Sequence, residues 1–472
     1  MAKRKASKKA QKPQKRAAGK LGAGKPAAAK PTARKGSAGE PGAKKGAGRG
    51  AEALKIALVG MGTVGTSVAK LLCQNTDGRL KLTHILDRDP AKRKTRWIPK
   101  TMRWPGSFEE VLAADVDVVV ELIGGIEPAS DWIRRALRAG KSVVTANKVA
   151  IAKSGAEFQE LARQVGRRIE FGAAVAGGIP VILGIQEGLA GDRLYEIAGI
   201  LNGTCNYVLT QMEASGASFH DALKEAQTLG FAEADPSADV EGFDARAKLV
   251  ILTQAGLGAA VHTEQISCRP ISLIEAVDFH YAHELDCTIR QISLVKKDTS
   301  KGLHIYAAVQ PALVRRSSLL AHVARNKNMV VVTGEFTEQT VFSGYGAGGD
   351  PTAVAIVSDL YEIARGGGAP QAEQSAALEI PKAVSGEFTM PHYLRFVVRD
   401  RPGIIAAVGA VLARFAISID AVLQEPGYPH TALPFVMTLE ACSAATLNQA
   451  LEEIGALDFH VEPPLCLPII NV

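Results

Sequence analysis

Apolar residues first take on a strand's texture at 54–60, where LKIALVG is hydrophobic apart from Lys55 and ends on glycine. Val64, Val68, Leu71 and Leu72 then recur at the spacing of one helical face. LTHILD (82–87) reads as a second strand, and DVDVVVELIGG (115–125) carries the continuous apolar run of a strand covered on both faces. Helical DWIRRALRAG (131–140) and strand SVVTAN (142–147) continue the alternation. This pattern predicts an α/β fold, with a Rossmann-like, doubly wound parallel sheet over 53–180.

From 181 to 340 amphipathic helices mix with strands such as LHIYAAVQPALV (303–314), which predicts an α+β domain for substrate and catalysis. PTAVAIVSDLYEIA (351–364) reads as a helix, and 340–365 is expected to pack back on the first domain. GGGAP opens a linker over 366–391. Residues 392–472 read as a small separate βαββα unit: YLRFVVRD, a turn at Arg401-Pro402-Gly403, IIAAVGAVLARFA, ISIDAVLQ, ALPFVMTLE and ATLNQALEEIGAL.

Composition changes this picture mainly at the start of the chain. Residues 1–52 are nearly all Ala, Lys, Gly, Pro and Arg, too apolar-poor to offset the entropy of ordering, and are expected to be a disordered basic tail. Residues 1–50 hold 16 Lys and Arg against one acid, so their +15 exceeds the chain's +7 and leaves the remainder at −8. Any nucleic-acid contact therefore falls to the tail, with a solvated extension as the plainer reading. The hydrophobic share of 47% and charged share of 22% suit a globular enzyme. No apolar run reaches bilayer length and no secretory signal is visible, so a cytoplasmic protein is expected. The six cysteines form no C-x-x-C pair, which points to reduced thiols rather than structural zinc.

Gly60-Met61-Gly62-Thr63-Val64-Gly65 fits G-x-G-x-x-G where a dinucleotide needs it, after a strand and opening a helix. The first glycine permits the turn, the second admits the pyrophosphate to backbone N–H groups, and the third lets helix and strand approach. Asp87, at the end of the second strand, is placed for the ribose hydroxyls of NAD. Arg88 beside it could take the 2′-phosphate of NADP, and the choice between NAD and NADP stays open.

The segment from Ala226 to Lys248 crowds acids beside one lysine. Asp244 and Lys248 are four apart and share a helical face; Glu233, Asp235 and Asp239 precede them as a cradle for an ammonium group. This segment resembles the signature of the homoserine dehydrogenase family. Other blocks agree in order: GMGTVG (60–65), ELIGG (121–125), TANK (145–148), AAVAGGIP (173–180), GILNGTCNY (199–207) and GAGGDPTA (346–353). The resemblance covers roughly 54–365.

It implies interconversion of L-homoserine and L-aspartate 4-semialdehyde with NAD(P), on the route to threonine and methionine. By the same resemblance Lys248 is the general acid/base and Asp244 orients it and contacts substrate. Gly230, Glu233 and Asp239 line the substrate pocket, and Lys148 sits near substrate and nicotinamide. Gly348 approaches the cofactor from the side opposite Gly60, Gly62, Thr63, Val64 and Gly65. The family pattern places a sodium-binding glutamate where this chain has Gly172. The carbonyls of Val175, Gly177 and Ile179 remain as donors, with Glu170 a candidate substitute carboxylate. Cys205 replaces a common threonine and reads as a structural thiol.

The unit at 392–472 resembles an ACT domain, with Asp400-Arg401-Pro402-Gly403 at its first turn. That resemblance implies feedback control by an amino acid such as threonine, with a purely structural dimerisation unit as the plainer alternative. A homodimer or larger assembly is expected. The 52-residue tail is too short for a kinase domain, so a bifunctional kinase–dehydrogenase is not expected. Two other readings stay open: a dehydrogenase for a different amino-acid aldehyde, and a catalytically degenerate amino-acid sensor or nucleic-acid-tethered binding protein.

Overall fold

Five short parallel strands form the first sheet: β1 (Leu54–Val59), β2 (Leu80–Leu86), β3 (Val118–Glu121), β4 (Ser142–Thr145) and β5 (Ile169–Glu170). Their order is β2-β1-β3-β4-β5. The computed structural model describes residues 53–366 and 378–471; the basic tail and 367–377 of the expected linker lie outside these residues. Every residue of β3 and β4 is buried, because helices cover both faces. On one face the helix Thr63–Gln74 and the late helix Gly349–Arg365 share a core of Val68, Leu72, Ile356, Leu360 and Ile363. On the other, helices Ala129–Arg138 and Lys148–Gln164 bury Ile133, Leu137, Ile151 and Phe158.

The second sheet has eleven strands: β6 (Leu194–Ile200), β7 (Ser267–Cys268), β8 (Cys287–Asp298), β9 (His304–Arg315), β10 (Lys327–Gly334), β11 (Glu338–Tyr345), β12 (Ala383–Ser385), β13 (Thr389–Val398), β14 (Ile419–Leu423), β15 (Leu433–Ser443) and β16 (Leu465–Ile470). Its main path runs β11-β10-β6-β8-β9-β16-β13-β15-β14, with β7 and β12 pairing β9.

The helix Phe243–Leu257 packs between the two sheets, against β6, β8 and the helix Lys148–Gln164. Ala245, Ala247 and Leu249 to Leu252 are all buried, so this helix is apolar all round, as a core helix must be. Its first two turns carry Asp244 and Lys248, and that is how polar groups reach the middle of the protein.

Two features differ from the sequence reading. The C-terminal module is not separate, and it is βαββαβ, not βαββα. The added strand β16 pairs antiparallel with β13 and parallel with β9, at Ile469↔Leu313 and Ile470↔Val314. One sheet therefore runs through both parts, and the described residues form one compact unit. The expected linker also contributes structure, since β12 pairs with β9 and β13 begins at Thr389. β12 is only three residues long and β16 six, too short for a periodicity of their own to mark them as strands.

Candidate active site

The glycine turn between β1 and its helix is held by close backbone contacts. Gly60 has φ +96°, and a Cβ there would lie 2.7 Å from the Leu122 carbonyl oxygen. A Cβ on Gly65 would lie 2.1 Å from the Gly60 carbonyl oxygen. One on Gly62 would meet nothing within 4 Å, so the side of the turn offered to a phosphate is open. Thr63 and Val64 start the helix whose N-cap is Gly62.

Asp87 closes this turn itself: its Oδ2 accepts the Met61 N–H at 2.6 Å and its Oδ1 the Asp89 N–H at 2.8 Å. Arg88 is exposed beside it. Gly348, at φ +125°, caps the helix Gly349–Arg365, whose first turn meets the dinucleotide helix through Ser67 Oγ donating to Asp350 Oδ1 at 2.6 Å.

Lys148 is aimed by a chain of buried groups. Glu121 ends β3; its Oε2 accepts the Thr145 hydroxyl at 2.6 Å, and Thr145 Oγ1 accepts the Asn147 N–H at 3.0 Å. Asn147 then caps the helix that Lys148 opens, its Oδ1 accepting the Ala150 N–H while Nδ2 donates to the Gly125 carbonyl at 2.7 Å. The ELIGG and TANK blocks are thus two ends of one scaffold.

Lys148 Nζ reaches Asp244 Oδ1 at 2.6 Å. The other carboxylate oxygen, Oδ2, takes Lys248 Nζ at 2.7 Å and Asn202 Nδ2 at 2.9 Å. Lys248 also donates to the Leu201 carbonyl at 2.7 Å, and Asn202 to Asp239 Oδ1 at 2.7 Å. Burial alone would raise the Asp244 carboxyl, but the ammonium groups of Lys248 and Lys148 override it and hold the group well below its ordinary range. Burial acts the opposite way on Lys148, yet the charges of Asp244, Asp239 and Glu233 raise it overall.

Glu233 is exposed at the rim, near enough to act on Lys148 by charge; Gly230, at φ +77°, ends the preceding helical turn with open space before it. Asp235 does not join them: it accepts the Ser237 N–H at 3.1 Å within its own turn. Cys205 is buried, its thiol pushed up by burial and by the charges of Asp239 and Asp244, and it donates to the Asp239 carbonyl. Asn202, Glu121, Thr145 and Asn147 were not singled out from sequence. All four lie inside the blocks ELIGG, TANK and GILNGTCNY, which marked their segments without assigning these residues a role.

At Gly172 a carboxylate reaches in from elsewhere in the chain. A Cβ at Gly172 would lie 2.7 Å from Asp359 Oδ1, and Asp359 Oδ2 accepts the Gly172 N–H at 3.0 Å. Burial, then the neighbouring Glu170, push the Asp359 carboxyl well up. Glu170 itself pairs with Arg168 at 2.6 Å. A cavity of about 430 Å³ opens at the far end of the helix Phe243–Leu257, lined by Gln159, Glu170, Gln186 and Gln254 among others; no residue of the lysine cluster lines it.

In the C-terminal module, Asp400, Arg401, Gly403, Ile404, Gln424 and Phe435 surround a cleft of about 520 Å³ at the first turn. Gly403, at φ +95°, caps the helix Ile404–Arg414 there.

A parallel sheet with a glycine turn open to phosphates, facing two lysines joined through one carboxylate, defines a nicotinamide-dependent dehydrogenase. Three family models match: the NAD-binding domain of homoserine dehydrogenase over 60–172, homoserine dehydrogenase over 180–361, and the ACT domain over 392–459. The chain is 37% identical over 431 residues to the homoserine dehydrogenase of Neisseria gonorrhoeae, covering 88% of this chain and 98% of that one. It matches the crystal structure of a homoserine dehydrogenase from Thiobacillus denitrificans with a TM-score of 0.80 and 34% identity, over 89% and 98% of the two chains. A hyperthermophilic archaeal homoserine dehydrogenase in complex with NADPH gives a TM-score of 0.56 at 26% identity, over 66% and 97%. The chain belongs to the homoserine dehydrogenase family, as an NAD(P)-dependent oxidoreductase carrying an ACT domain. The degenerate sensor or tethered binding protein is not favoured. Among the described residues no helix is long and apolar enough to cross a membrane.

Proposed function

We propose that Lys248 is the general acid/base for interconversion of L-homoserine and L-aspartate 4-semialdehyde, and that Asp244 fixes its position. The observation that carries this is how the Lys248 ammonium is held. It has three donors; two are taken by Asp244 and the Leu201 carbonyl, which leaves one for a substrate oxygen. The nicotinamide of NAD(P) supplies the hydride chemistry when bound. In reduction of the aldehyde, negative charge grows on the carbonyl oxygen. The Lys248 ammonium stabilises that charge and delivers the proton; in oxidation the neutral amine takes the hydroxyl proton back. Lys148, on the opposite oxygen of Asp244, adds a second positive charge at the same place.

Gly230, Glu233 and Asp239 line the side where an amino-acid ammonium group would sit. Gly60, Gly62, Thr63, Val64, Gly65 and Gly348 would hold the dinucleotide, with Arg88 placed for a 2′-phosphate. The archaeal relative's NADPH complex supports NADP as one cofactor. For sodium, the carbonyls of Val175, Gly177 and Ile179 and the carboxylate of Asp359, in place of the absent glutamate, are the donors on offer. Ile179 already accepts the Val181 N–H, and a carbonyl keeps a second lone pair. We assign the cleft at Asp400–Ile404 to an amino-acid effector such as threonine, and the protein to a cytoplasmic homodimer or larger assembly.

The test is turnover with L-homoserine followed by NAD(P)H absorbance, comparing the parent protein with Lys248→Ala. A fall of about 10²–10⁴-fold in kcat, with dinucleotide binding kept, is the expected result. Parent-like turnover in Lys248→Ala would remove the acid/base assignment.

A further inference from the structure

Asn202 follows β6, is buried, and caps the helix Gly203–Ser215, its Oδ1 accepting the Cys205 N–H at 2.8 Å. That bond settles which end of the amide is oxygen. Nδ2 must then point the other way, and its two hydrogens meet two different carboxylates: Asp239 at 2.7 Å and Asp244 at 2.9 Å. The Asp244 oxygen it reaches, Oδ2, is the one that holds Lys248. The adjacent carbonyl, Leu201, takes a second hydrogen of the same lysine. Two consecutive residues at the end of one strand therefore set both the lysine and its acid.

We propose that Asn202 is the positioning residue of this site: it ties Asp244 to Asp239 and so fixes Asp244, and through it the reactive hydrogen of Lys248. The inference rests on the acid/base role of Lys248. Only an amide fits all its demands. An acceptor is needed for the helix cap and a two-hydrogen donor for two carboxylates, and no other short side chain supplies both.

Asn202→Ser and Asn202→Asp separate this role from capping, because serine and aspartate cap helices about as well as asparagine. Both variants should fold and bind NADPH; Asn202→Ser should lose only the bonds to the two carboxylates, with a modest fall in Tm, and Asn202→Asp should be the less stable of the two at neutral pH. Both should lose about 10²-fold in kcat, the scale expected when a reacting group is displaced by about 1 Å. Asn202→Asp should also show a signature that no cap defect produces. A carboxylate at this position would face part-buried Asp239 and buried Asp244, and since both ammonium groups there, Lys148 and Lys248, are already taken by Asp244, the added group is expected to bind a proton. Its activity relative to the parent should therefore rise as pH falls. If Asn202→Asp does not fold, Asn202→Ser carries the kinetic test, since it adds no charge. Parental kcat in the folded variants, with a flat activity ratio across pH, would overturn the proposal. Run beside them, Lys248→Ala keeps the two readings apart. If Lys248→Ala collapses while the Asn202 variants do not, only the positioning role falls; if Lys248→Ala turns over normally, the acid/base assignment falls with it.

Discussion

The carboxylate of Asp244 holds Nζ of Lys148 at 2.6 Å, and the two side chains belong to different layers of the fold. Lys148 opens a helix of the dinucleotide sheet; Asp244 sits in the first turn of the buried helix that faces the second sheet. One ion pair therefore spans two helices whose buried faces share a core.

Replacing this carboxylate tests the junction. Asp244→Ala leaves the Lys248 ammonium buried without its counter-charge, which costs on the order of 3–5 kcal/mol. Lys148 is partly exposed and adds little to that figure. Urea unfolding should show the loss. Asp244→Asn should keep more stability and still lose about 10²–10⁴-fold in kcat. Full activity in Asp244→Asn would show that the charge is not needed.

The two glycines that flank Thr63 and Val64 should fail differently. Gly65→Ala drives a methyl group to 2.1 Å from the Gly60 carbonyl oxygen, so the turn must open and Tm must fall. Gly62→Ala meets no protein atom and should fold normally, with NADPH binding weakened at least about tenfold, or 1.4 kcal/mol. Equal effects on Tm would contradict this division.

A glutamate placed at position 172 should be harmful here. Gly172→Glu forces its side chain against Asp359 and should cost about 1–3 kcal/mol by overpacking. Gly172→Glu combined with Asp359→Ala should recover part of the loss, giving a coupling of at least about 0.5 kcal/mol. Strictly additive effects would mean that Asp359 is not what excludes a side chain at position 172.

His392, on β13, predicts an acid limit to stability. Burial, then the charge of Arg269, push its imidazole from 6.5 down to about 4. The folded state then stays neutral while the unfolded chain takes up a proton. The contribution is intact above pH 6.5 and is lost as pH falls towards 4, at up to about 1.4 kcal/mol per pH unit. Urea midpoints for the parent and His392→Gln should diverge between pH 7 and 5, with the variant less acid-sensitive. Parallel curves would exclude His392 as the cause.

Much of the fold was legible because it is local. The apolar run of β1, the glycines after it and the helical spacing of Val64, Val68 and Leu71 are all set by neighbours a few residues apart. The pairing of Asp244 with Lys248 was legible for the same reason, since a four-residue step puts both on one helical face. The strand β16 and the short strand β12 were not. Each is a strand because of a partner far along the chain, and no periodicity of its own reveals that.

The sequence by itself determined the dinucleotide turn, the order of the family's blocks and the acids gathered ahead of Lys248. Tertiary structure alone decided that Lys148 completes Asp244, that Asn202 joins Asp239 to Asp244, and that Asp359 stands at Gly172 across 187 residues of chain. The reason is geometric. Residue spacing encodes direction along one helix or strand, whereas these contacts depend on where the ends of separate elements meet, and packing of the two sheets around the helix Phe243–Leu257 sets that.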